Sequence, residues 1–172
     1  MKKSKILDLV IFAMLGAILF MGKIITEVLP NIHPVTMLIA VYTLVYRARA
    51  LIPIYVYVAI SGVFYGLASW WLPYIYIWAL AWAFFMLIPK NASIKTKGIL
   101  AIVFCALHGL LYGTLYAPAQ AILFGLDFKG MIAWIIAGFP FDILHMCGNI
   151  VISVLVIPLY KLICKLESQR TI

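Results

Sequence analysis

VTMLIAVYTLVYRARALIPIYVYVAISGVFYGLA, residues 35–68, holds two apolar runs on either side of Arg47 and Arg49. Neither run carries a charge, and the arginines interrupt them where a chain crossing a bilayer would turn back. The pattern repeats outward in both directions. Basic residues gather at Lys2, Lys3 and Lys5, at Lys90, Lys95 and Lys97, and at Lys161, Lys165 and Arg170, with apolar stretches between the groups. Only Lys23 and Lys129 stand apart. Six crossings would put every cluster on one face, and the positive-inside rule makes that face the cytoplasm. The net charge of +8 then reports topology, and no nucleic-acid partner is expected.

Composition points the same way. A chain of 172 residues that is 67% hydrophobic and 10% charged, with a mean hydropathy of +1.16, belongs in a lipid bilayer. The expected fold is all-α: one integral membrane domain over residues 1–172, six transmembrane helices, both termini cytoplasmic. The spans fall near residues 6–28, 35–46, 51–68, 73–88, 99–124 and 131–163. The first has a basic start and apolar core that also describe a signal peptide, but no small-residue cleavage site follows, so it reads as a retained helix. The last is long for one crossing, and a break at Gly138 and Pro140 is expected, because proline removes a backbone hydrogen bond. Cys105, Cys147 and Cys164 lack metal-ligand spacing and read as packing residues. No metal or cofactor is expected.

Polar groups inside spans are costly and are functional candidates by default. Asp142, His145 and Asn149, at spacings of three and four, share one helical face and can converge on a ligand, or Asp142 and His145 can simply pair. His108, Tyr112 and Tyr116, with Gln120 a turn further, form a stripe suited to a cavity wall or to packing. Tyr74, Trp78 and Trp82 make either a stacking wall for a planar ligand or ordinary packing, and Trp70 and Trp71 suit an outer interface belt. Asn31 and His33 lie in the short external loop, residues 30–34. Ala13 and Ala17, with Gly16 between, leave a smooth strip on the first helix that another helix can approach. Lys23 and Glu27, four apart, read as a helix-surface ion pair. No phosphate-cradling glycine loop, HExxH or Gly-x-Ser-x-Gly elbow is present, and no catalytic residue is assigned.

The short multi-span chain, the Ala13-x-x-x-Ala17 strip and the run Gly138-Phe-Pro-Phe-Asp-Ile-Leu-His-Met-Cys-Gly-Asn149 together resemble the substrate-binding S components of energy-coupling factor (ECF) transporters. The resemblance implies a multi-pass protein of a prokaryotic plasma membrane that captures a vitamin or related micronutrient from outside. It would pass that small molecule to a transmembrane scaffold subunit with two ATPase subunits, and would hydrolyse nothing itself. The resemblance places Ala13 and Ala17 against the scaffold. It places the ligand pocket among Asn31, His33, Tyr74, Trp78, His108, Tyr112, Asp142, His145 and Asn149.

Aromatics, histidines, one carboxylate and an amide favour a planar, polar, neutral or weakly cationic heterocycle. No Arg or Lys stands in that set, which disfavours a polyanion unless Lys23 or Lys129 reaches it. The competing reading is a stand-alone proton-coupled carrier that uses Asp142 and His145 as a relay. An intramembrane enzyme working through the same pair is a third.

Overall fold

The computed structural model of the chain describes residues 2–29 and 31–170, and side chains from residue 6 onward. The Lys2–Lys5 side chains, and Pro30 at the start of the expected external loop, lie outside the described residues. The described chain is helical throughout, without a strand: α1 (Lys2–Ile25), α2 (Val35–Tyr46), a 3-10 turn (Arg47–Ala50), α3 (Leu51–Tyr65), α4 (Tyr74–Met86), α5 (Ile94–Leu110), α6 (Tyr112–Phe124), α7 (Phe128–Ser153) and α8 (Val156–Arg170).

Four helical runs are long and apolar enough to cross a membrane, which marks a membrane protein: Ile6–Ile25, Val35–Tyr65, Ile94–Phe124 and Phe128–Ser153. The six expected crossings are thus matched by four runs of spanning length. At about 1.5 Å per residue, the 12 residues of α2 and the 13 of α4 each fall well short of a hydrocarbon core of about 30 Å.

Shortness suits α2 to its place in the fold. Most of its side chains are buried, and it packs on α1, α4, α5, α7 and α8 as the central post of the core. Pro34 precedes it, and Arg47 ends it with a backbone at φ 54° and ψ −123°. That conformation is uncommon for a residue with a Cβ, and hydrogen bonds hold it. The Arg47 guanidinium donates to the carbonyls of Ile88 (3.0 Å) and Met86 (2.7 Å), and Trp82 Nε1 donates to Arg47 O at 3.0 Å. Arg47 therefore satisfies open carbonyls at the C-terminal end of α4, where a cation is also favoured by the helix dipole.

Two expectations change. α7 runs through Gly138 and Pro140 without a break, and the chain turns instead at Val154 and Leu155 before α8. One proline costs an apolar helix a single backbone bond and does not have to end it. The expected fifth span is divided at Leu111 into α5 and α6, although the ladder continues through Leu111 N to Leu107 O (2.9 Å) and Leu115 N to Leu111 O (2.8 Å).

One end of the molecule gathers charge. Asp8 on α1 pairs with Arg49 at 2.5 Å and with Arg170 at 2.6 Å, and Tyr46 donates to Glu167 at 2.9 Å. The start of α1, the 47–50 turn and the end of α8 therefore meet at that end. The loop from α1 to α2 lies at the other, and there the site is built.

Candidate functional site

All three histidines of the chain come together, although they arise from a loop and two separate helices. His33 stands in the α1–α2 loop, His108 near the end of α5 and His145 in the middle of α7. The ring of His145 lies 4.9 Å from that of His33 and 6.4 Å from that of His108, measured between centroids. Trp78 of α4 packs on His108 (5.6 Å), Tyr112 (5.9 Å) and Tyr74 (5.4 Å), and Tyr112 meets His145 at 5.0 Å. Edge-on and tilted contacts of this kind are the favoured arrangements for aromatic rings, and they fix the cluster as a wall. His108 Nδ1 meets the Thr36 hydroxyl at 3.3 Å, which ties the wall to α2.

Two cavities open on this wall and share Asn31, Tyr112 and His145. The first, of about 200 Å³, is further lined by Lys23, Thr26, Glu27, Leu29, Ile32, His33 and Tyr74. The second, of about 430 Å³, runs between α6 and α7 and adds Gly113, Tyr116, Gln120, Trp134, Gly138, Phe141 and Asp142. Trp78 and His108 line neither cavity and back the wall from behind. Asn31 takes a left-handed backbone (φ 58°), which asparagine tolerates better than most residues, and this turns the loop over both openings.

The face shared by Asp142, His145 and Asn149 does three different things. Asn149 is buried and its Nδ2 donates to Cys105 O at 2.9 Å, a tie between α7 and α5 away from both cavities. Asp142 is only 5% exposed, and its Oδ1 accepts the Gly113 N–H at 2.9 Å. Gly113 is in the first turn of α6, just past the division at Leu111, and Asp142 caps that turn by taking its N–H. His145 alone faces both cavities. Asp142 and His145 form no ion pair or hydrogen bond with each other among the described residues.

Lys23 is at the rim of the first cavity, so the set is not free of a cation as its membership by sequence implied. Lys23 and Glu27 do not form the expected direct pair. α1 stops at Ile25, which takes Glu27 off the helix, and both residues engage Tyr65 instead: Lys23 Nζ lies 4.3 Å over its ring, and its hydroxyl donates to Glu27 at 3.0 Å.

The aromatic stripe on α4 is divided too. Tyr74 and Trp78 belong to the site, whereas Trp82 is spent at the opposite end on Arg47 O. Trp71, expected in an interface belt, donates to Val58 O at 2.8 Å and secures α3. Tyr116 and Trp134, stacked at 5.9 Å, complete the second cavity. Trp134 gave no sequence signal, because its partner lies on another helix. Of the cysteines only Cys105 is buried, and Cys147 is exposed.

Three buried polar atoms of residues that line these cavities have no hydrogen-bond partner among the described residues: His33 Nδ1, Asp142 Oδ2 and His145 Nε2. Unpaired buried groups cost about 1–3 kcal/mol each, so native structures keep few of them, and several in one place mark somewhere a polar molecule fits. Comparison with protein-family models, curated proteins and solved structures finds no match for the chain.

Proposed function

We propose that the chain is the substrate-capture subunit of an ECF-type importer. It takes a vitamin or related heterocyclic micronutrient from outside the cell and delivers it to a transmembrane scaffold with two ATPase subunits, which supply the energy. The observation that carries this reading is the cluster of unpaired polar atoms on an aromatic wall, at the end of the molecule away from the Asp8–Arg49–Arg170 contacts. Tyr74, Tyr112 and the His33 and His145 rings offer flat faces, and the open nitrogens and the carboxylate oxygen supply the hydrogen bonds that a planar polar heterocycle needs. Ala13 is exposed on α1, where a scaffold helix can approach it, and Ala17 is half-buried beside it.

The test is mass spectrometry of small molecules released on denaturing the detergent-purified protein, with His145→Ala alongside. A heterocyclic metabolite in near-stoichiometric amount, lost from the variant, is expected. Lipid alone from both samples overturns the capture reading.

A further inference from the structure

Asp142 is a buried carboxylate without a counter-ion. Neither Lys nor Arg lies within 4.0 Å of it among the described residues. Oδ1 is used by the Gly113 N–H, while Oδ2 is unpaired, and Asp142 lines the second cavity. The same cavity is lined by the rings of Tyr112, Tyr116, Trp134 and Phe141. Burying an ionised carboxylate without a partner is expensive, and one backbone N–H offsets only part of that cost. Aromatic faces meanwhile carry negative quadrupole potential and attract cations, most of all where water is excluded. A carboxylate beside aromatic faces is recognition chemistry for an ammonium or amidinium group.

We propose that the second cavity is a cation subsite, in which Asp142 Oδ2 pairs with a protonated nitrogen group of the ligand and the Tyr116–Trp134 stack covers it. The inference rests on the capture reading and sharpens it: the captured class is heterocycles with an ammonium or amidinium group. The ring would lie toward Tyr112 and His145, which both cavities share, and the charged group would reach between α6 and α7.

Benzamidinium and its uncharged isostere benzamide are the probes, measured by equilibrium dialysis against the dialysed protein in detergent. Wild type is expected to hold benzamidinium about tenfold more tightly than benzamide, the worth of one buried charge-assisted contact. Asp142→Asn keeps an oxygen for the Gly113 N–H, so α6 stays capped while the preference for benzamidinium over benzamide disappears. Trp134→Ala, which leaves Asp142 in place, weakens benzamidinium several-fold.

Equal binding of the two probes by wild type, binding of neither, or a preference that survives Asp142→Asn overturns the subsite and leaves Asp142 as a helix cap. Failure of the capture reading looks different. A copurified neutral ligand retained by Asp142→Asn removes the subsite alone, whereas a benzamidinium preference with no copurified metabolite removes capture and keeps the subsite.

Discussion

His33 shows how far one position departs from its ordinary chemistry. Burial first, and then the neighbouring His145, His108 and Lys23, pull its imidazole down from 6.5 to about 3. Above the ordinary value the ring is neutral in both the folded and unfolded chains, and its contribution is intact. As pH falls from 6.5 toward 3, the unfolded chain takes up a proton that the folded chain refuses, so stability is lost progressively across that window. The thermal midpoint in detergent is expected to drop over this range, and His33→Gln to flatten the drop. A midpoint indifferent to pH there contradicts a buried neutral ring. Which residues line the cavities was partly legible in the chain: Asn31, His33, Tyr74, Tyr112, Asp142 and His145 do so. What each does was not. Asn149 and Asp142 share a helical face with His145 but find their partners, Cys105 O and Gly113 N, on other helices, and no spacing rule reaches that far.

At the scale of elements, the seam between α5 and α7 sets the site. A Cβ built on Gly109 would meet Met146 N at 2.9 Å and the His145 carbonyl carbon at 3.0 Å, both of them backbone atoms that cannot swing aside. Gly109→Ala therefore has to part the helices and carry His145 away from the wall. The expected cost is about 1–3 kcal/mol of stability, with weaker benzamide binding. Gly138→Ala is the control, since no atom lies within 4 Å of its Cβ and α7 is already helical there; it should be neutral or slightly stabilising. Thermal unfolding of the two variants beside wild type decides the matter, and equal midpoints for both would contradict the tight seam. The bounds of α2 were readable because Pro34 and Arg47 bracket an uninterrupted apolar run. The end of α7 was misread because Pro140 is a strong local breaker, and the turn at Val154 has no comparable mark.

Across the whole molecule, α1 turns Gly16 into the core and leaves Ala13, three residues earlier, exposed. Gly16 faces inward, and a Cβ there would lie 2.5 Å from Val56 Cγ1 and 2.9 Å from Pro53 O, so Gly16→Val should disrupt the α1–α3 packing and lower the yield of folded protein. On the proposed capture reading, Ala13→Trp should leave unfolding and ligand binding unchanged while abolishing uptake in cells that carry the scaffold and ATPase subunits. Loss of binding together with uptake would remove the separation between capture and delivery. By itself the sequence determined that the protein is helical and belongs in a membrane, because the length and apolarity of a run are properties of consecutive residues. It also marked most of the polar side chains worth attention, since a polar group in an apolar run is conspicuous wherever the run is placed. Tertiary structure alone decided that three histidines from a loop and two helices share one wall, that Lys23 reaches the rim, and that Asp142 caps α6 with one oxygen and leaves the other open. The physical reason is range: helix periodicity relates residues within a few turns, whereas the partners that settle these roles are tens of residues away and meet only when the helices pack.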